Sequence, residues 1–266
     1  FDEEKAAEYK SFGINRISLG IQSFDDNILK KLGRLSDSLK NRKALEIAAK
    51  YFQNYSADLI YGIPGQNLKE ELQNYLIFSP PHVSAYCLTI VEETPIFAQK
   101  KEFLLSDLNL NRQFYQIHEF FEKNGFTHYE ISNYSKKGFE SMHNLGYWEG
   151  KNYIGLGAGA SGYLKNTRYI NENFEKYTKK ISRGVKPVFE SESLTPENLW
   201  MEKWILGLRM QQGFKLFESK LPIEIKNLIL LFKKKKWLEY SHQQIKPTLK
   251  GWTMLDSILK EVNKLS

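Results

Sequence analysis

The sequence predicts an α/β fold of βα units on a parallel sheet, followed by a mainly helical segment of winged-helix-like pattern. Three observations carry this. Ile17, Leu19 and Ile21 alternate with polar residues, and short β-favouring runs recur at 57–62 and 83–88, each separated from the next by helical periodicity. Strands alternating with helices pair in parallel, because each crossover returns the chain to the same end of the sheet. Residues 196–266 then read helix, helix, hairpin, helix. Three strands are too few for a closed barrel, so the expected shape is a half-barrel whose first strands lie upstream of Phe1.

In order, residues 2–12 read as a helix through Ala6, Ala7 and Tyr9, stopped by Gly13. The strand that opens the stretch 16–34 ends where Ser23-Phe24-Asp25 breaks the alternation. Asp25 can cap a helix through Ile28, Leu29 and Leu32, and Gly33 is a natural stop. Residues 38–52 form a second helix on the stripe Leu39, Ala44, Leu45, Ala48 and Ala49. The strand 57–62, opened by Asp58, closes in Ile63-Pro64-Gly65; residues 68–78 are helical and 83–88 are the third strand. Residues 89–106 are a connector, 107–123 a helix and 127–134 a short aromatic strand. A polar helix at 173–182 and a linker at 184–193 follow. Thr195 caps a helix over 196–210 with Pro196 at its first position, then come a helix at 223–232, a hairpin at 237–247 and a last helix at 252–262. The expected domains are 1–190 and 191–266.

Composition narrows the function classes. The chain has 266 residues and no apolar run near the roughly 20 residues that span a bilayer. It starts at Phe1 and is expected to be a piece of something longer. Its single cysteine, Cys87, excludes an intrachain disulfide and any multi-cysteine metal or iron–sulfur site made wholly of these residues, and fits a reducing cytoplasm. Thirty-eight Lys and Arg against 31 Asp and Glu give +7, with the basic residues dispersed. Residues 223–232 contain only Lys226 as a basic residue, so a nucleic-acid groove reader is not expected.

Three stretches carry chemistry. Gln22 ends a strand just before a helix begins, the edge at which α/β sheets bind ligands, and a carboxamide both donates and accepts. Arg34, just past that helix, offers a planar cationic fork. Asp58 shares a strand face with Ile60 and Gly62, and a carboxylate there needs a partner. The run from Gly157 to Gly162 spells G-x-G-x-x-G, but no amphipathic helix opens at its last glycine and no acidic residue stands about 20 positions on, so close backbone packing explains it. His143-Asn144-Leu145-Gly146-Tyr147-Trp148 sets an imidazole beside an amide and two aromatics. On a helix, His143 and Tyr147 would share a face, as an axial iron ligand with a stacking ring or as a core aromatic cluster.

Together, INRISLGIQSFDDNILKKLGR, DLIYGIPGQ, HVSAYCLTIVEETP, HYEISNYS and HNLGYW…YIGLGAGASGY resemble the HemW family, in family order and over nearly the whole chain. These are radical S-adenosylmethionine (SAM) proteins related to oxygen-independent coproporphyrinogen III oxidase. The resemblance implies a partial radical-SAM βα-barrel, a C-terminal helical domain, SAM, a [4Fe-4S] cluster, and a haem chaperone that delivers haem to apo-haemoproteins, with peripheral membrane association through those acceptors. It implies SAM contacts for Gln22, Arg34 and Asp58, and haem contacts for His143, Asn144, Tyr147 and Trp148, with His143 on the iron. The cluster cysteines are absent from this chain, and Leu35-Ser36 follow LGR where the family has a histidine. These residues alone are therefore expected to do no radical chemistry. The alternative implied function is the oxidase itself, which decarboxylates porphyrinogen propionates.

Overall fold

The computed structural model describes residues 1–92, 94–217 and 221–265. Residue 93 of the expected connector, and residues 218–220 and 266 of the expected winged-helix segment, lie outside them. The chain divides into two compact units, Phe1–Glu140 and Ser141–Ser266. Residues 141–190 thus group with the second unit, whereas the sequence reading set them in the first domain.

In the first unit α1 (Glu3–Ser11) leads to β1 (Arg16–Gln22), α2 (Asp26–Lys31), α3 (Ser38–Tyr51), β2 (Asn54–Tyr61), α4 (Leu68–Phe78) and β3 (His82–Cys87). A 3₁₀ stretch, Pro95–Phe103, lies inside the expected connector. Then come α5 (Asp107–Lys123), β4 (Thr127–Glu130) and β5 (Asn133–Ser135). The sheet runs β1-β2-β3-β5-β4. The β1–β2 and β2–β3 pairs are parallel, as the crossovers through α2, α3 and α4 require. The expected aromatic strand is in fact a bulged hairpin that adds two antiparallel strands beyond β3. The sheet is open, with β1 at one edge. Asp58 lies in the second half of β2 instead of opening it.

The caps follow the sequence. Asp25 accepts from the Asn27 and Ile28 N–H groups at the start of α2. At its end Gly33 takes φ 66°, while the Gly33 and Arg34 N–H groups donate back to Lys30 and Leu29, a Schellman stop. The sheet's two faces differ sharply. Tyr55, Ala57, Leu59, Val83 and Ala85 are buried among the helices. The other face carries Arg16, Ser18, Asn54, Ser56, Asp58, His82 and Ser84, in the registers Ser18–Ser56, Ser56–His82 and Asp58–Ser84.

The second unit opens with α6 (Met142–Trp148), followed by β6 (Ser161–Leu164), β7 (Thr167–Asn171), α7 (Phe174–Ser182) and β8 (Val188–Ser193). The last of these replaces the expected linker, and β6-β7-β8 form an antiparallel sheet. Gly162 of the glycine motif sits in β6 opposite Tyr169, whose ring would come within 2.1 Å of an added Cβ. Close packing is the reason for that glycine, and the motif enters a strand, not a helix. Next are α8 (Pro196–Gly207), β9 (Phe214–Lys215), α9 (Ile223–Lys234), β10 (Leu238–Ser241), β11 (Gln244–Pro247), α10 (Leu249–Thr253) and α11 (Leu255–Asn263). The expected last helix is two, broken at Met254 (φ −114°, ψ 14°). Strand order β10-β11-β9 gives the winged pattern, packed on Trp204, Phe232 and Ile258. Among the described residues no helix is long and apolar enough to cross a membrane.

Candidate functional site

At the end of β1 the backbone reverses over a single residue. The Ser23 N–H donates to the Ile21 carbonyl at 2.9 Å, and Gln22 between them has φ 69°. This is a γ-turn of the rare positive-φ kind, a strained conformation for a side-chain-bearing residue. Two helices hold it. From α3, Asn41 Nδ2 donates to the carbonyls of Ile21 (2.9 Å) and Ser23 (3.0 Å), while Ser36 Oγ donates to Asn41 Oδ1 at 2.7 Å. From α4, Glu71 accepts a short hydrogen bond from Ser23 Oγ and another from the Phe24 N–H at 2.9 Å. Burial pushes the Glu71 carboxyl above the usual range, and the bonds from Ser23 and Phe24 oppose it.

Gln22 is 8% exposed, and its carboxamide folds back over Gly20. A Cβ added to Gly20 would lie 2.8 Å from Gln22 Nε2, so only glycine leaves that space. Gln22 Oε1 is buried and accepts no hydrogen bond. Such an orphan costs about 1–3 kcal/mol unless something donates to it.

One strand over, Asp58 Oδ1 accepts from Ser18 Oγ at 3.1 Å. Burial raises its pKa, opposed by hydrogen bonds from Ser18 and Ser84 and by the charge of Arg16. The polar network continues sideways: Ser56 Oγ lies 3.4 Å from Ser84 Oγ and 2.7 Å from His82 Nδ1, and His82 Nε2 lies 2.8 Å from the Tyr129 hydroxyl. Gln22 and Asp58 thus stand on adjacent strands, Gln22 opposite Leu59, on the sheet's polar face, where Ser56, His82 and Ser84 are buried and Asp58 is half-buried. Arg34 is exposed at the far end of α2.

In the second unit His143 and Tyr147 share one side of α6, their rings edge to face at 4.5 Å. Tyr147 in turn meets Tyr153 edge to face at 4.6 Å. His143 is exposed and Asn144 half-buried. Trp148 lines one cavity together with Tyr147 and Tyr153. It also lines a cleft with Tyr163, Glu202, Leu206 and Phe214, under the Arg209 guanidinium 5.3 Å from its ring, and its indole N–H is buried without an acceptor. Of the other histidines, His82 and His128 are buried, each with both ring nitrogens within hydrogen-bond distance of protein atoms.

Asn41, Glu71 and the three serines around Asp58 were not singled out from sequence. A signal existed for two of them: Asn41 and Glu71 are polar residues on the core-facing stripes of their helices, beside Leu45 and Ala48, and Leu68, Leu72 and Tyr75. Among the described residues no cluster of three or more His, Cys, Asp or Glu could hold a metal ion. Cys87, the single cysteine, lies in β3, so the residues present do not fit an iron–sulfur cluster.

Comparison with known proteins first defines the class. The family model of the radical SAM superfamily matches residues 1–76. The solved structure of Escherichia coli coproporphyrinogen III oxidase (HemN), a radical SAM enzyme, aligns with a TM-score of 0.78 over 100% of this chain and 68% of that one, at 17% identity; the likeness is one of fold. Among curated proteins, those named "Heme chaperone HemW" are similar in sequence. That of Lactococcus lactis is 34% identical over 262 residues, 93% of this chain and 69% of that protein. That of Bacillus subtilis is 36% identical over 218 residues, covering 79% and 58%, and that of E. coli 36% identical over 165 residues, covering 60% and 43%. The chain belongs to the HemW family, and it spans 58% of the length of the B. subtilis relative and 43% of the E. coli one.

Proposed function

We propose that this chain serves a cytoplasmic haem chaperone, which binds haem and passes it to apo-haemoproteins, some of them at the membrane surface. The observation that carries the reading is the exposed His143 on α6, its ring set against Tyr147 beside an aromatic cleft. A carrier must release what it holds. An exposed imidazole on a surface helix can ligate iron and exchange it, which a closed pocket does slowly. The names of the curated relatives support the same reading. Titration with hemin, followed at the Soret band, tests it: His143→Ala is expected to shift the band and weaken binding at least tenfold. Absence of hemin binding in the wild type would end the reading.

SAM is the second ligand proposed, at the β1–β2 edge. Gln22 Oε1, buried and lacking a donor, suits an amine or hydroxyl of the ligand; Asp58 would accept a second hydrogen bond, and Arg34 would meet its carboxylate. When bound with a cluster, SAM supplies radical chemistry; this chain's residues bind and orient it. Gln22→Ala is expected to reduce SAM affinity about tenfold by isothermal titration on the full-length protein, the weight of one well-formed hydrogen bond to a buried group. Unchanged affinity would remove Gln22 from the site.

A further inference from the structure

The largest cleft described in the second unit is not accounted for by His143. Two adjoining cavities, of about 490 and 310 Å³, share Trp148, Gly150, Tyr163, Glu202 and Leu206. Their volumes fall in the range of small-molecule sites. The walls are aromatic, from Tyr147 and Tyr153 at one end to Phe214 at the other. Aromatic walls with an aliphatic floor favour a flat, apolar body that can stack.

Charge narrows the choice. Glu202 is paired with Arg168, whose side chain is itself about half exposed. Lys203 reaches over Phe214, its Nζ 5.7 Å from the ring centroid, and Arg209 covers Trp148. Glu149 and Lys151 pair with each other at the mouth. Against the carboxylates Glu149 and Glu202 the cleft and its rim carry Lys151, Arg168, Lys203 and Arg209, so the local field favours an anion. His143 lines neither cavity. Its ring lies against Tyr147, which meets Tyr153 on the cleft side. The body and acidic groups of a ligand in this cleft are therefore held by groups other than that imidazole.

We propose that the cleft between α6, α8 and β6–β7 is a seat for a planar aromatic anion, recognised by stacking and by Lys203 and Arg168. Resting on the haem-carrier reading, the occupant is the porphyrin macrocycle with its carboxylates, gripped independently of its iron. A nucleotide offers the same chemistry, an aromatic plane with anionic oxygens, and is the competing source.

The test uses the full-length protein with iron-free protoporphyrin IX, AMP and hemin as probes. Porphyrin binding is read from the fluorescence of the porphyrin, AMP by its displacement of the porphyrin. Wild type is expected to bind protoporphyrin IX, with AMP a poor competitor. Lys203→Glu, at an exposed position, and Leu206→Trp, which fills the cleft, are each expected to weaken protoporphyrin binding at least tenfold without changing the thermal midpoint of Lys203→Glu. Protoporphyrin affinity equal to wild type in both variants overturns the proposal, as does binding that strictly requires iron. Displacement by AMP at lower concentration than by porphyrin assigns the cleft to nucleotides and overturns the porphyrin assignment. Hemin binding that persists unchanged in both cleft variants sinks the cleft while leaving the haem reading intact, whereas a wild type that binds no hemin sinks the reading itself.

Discussion

Replacement of Glu71 by alanine is expected to destabilise the first unit by about 3 kcal/mol, because it strips two buried donors of their acceptor. The Ser23 hydroxyl and the Phe24 N–H both end on this carboxylate, and Glu71 is 3% exposed, so water cannot substitute freely. Removing a desolvated acid returns part of the cost, which is why the figure is not larger. Glu71→Gln keeps one acceptor and should lose about half as much. The effect should also be local. With Glu71 gone, the γ-turn at Gln22 rests on Asn41 alone, so its strain can relax and the carboxamide leave Gly20. Urea denaturation gives the stability, and amide exchange at Ser23 and Phe24 gives the loosening. Stability equal to wild type in Glu71→Ala would mean that the turn is held by Asn41 and backbone packing.

Acidification should weaken the fold earlier than carboxylate titration would. Burial lowers the pKa of His82 and of His128 to about 3, against about 6.5 for an unfolded chain. In both cases the folded state holds the neutral ring while the unfolded state takes up a proton. Their contribution is whole above pH about 6.5 and falls as the pH drops towards 3. At pH 5 each histidine should remove about 2 kcal/mol. Asp58 and Glu71, whose pKa values are raised, act in the opposite sense: their destabilisation, present at neutral pH, is relieved as they protonate, which softens the loss further down. Chemical denaturation at pH 7.5, 6 and 5 measures the slope. His82→Gln, which can still bond to Ser56 and Tyr129, should flatten it by about one proton taken up on unfolding. An unchanged slope would show that His82 is not protonated on unfolding in this range.

How much of this was legible beforehand depended on how local the determinants are. The strand end at Gln22, the cap at Asp25 and the stop at Gly33 are written in neighbouring residues, and all three stand as read. The parallel core followed from strands alternating with helices. The β6-β7-β8 sheet did not, because a glycine-rich stretch and a Pro187 segment lack the alternation by which strands are recognised; Tyr169 over Gly162 decides the pairing, and that contact is made across strands. The γ-turn at Gln22 was equally hidden. Its cause lies about 20 and 50 residues away in Asn41 and Glu71, whose polar groups look misplaced until the tertiary fold brings them to the turn. On α6 the helical spacing correctly joined His143 to Tyr147, but the cleft that Tyr147 and Trp148 line was hidden, because its far walls come from Tyr163 and from residues between 199 and 244.

The seating of Gln22 over Gly20 has a consequence for how this sequence can drift. Any side chain at position 20 occupies the space of the amide at position 22, so a change at the first is felt as a change at the second. The two positions are epistatic by contact, and their substitutions should combine with less harm than their separate costs would sum to. A lineage that loses the glutamine frees the glycine to mutate, while one that keeps it must move the amide to do so. Selection for the amide in its present seat therefore also bears on the codon for Gly20, although that residue has no side chain to offer.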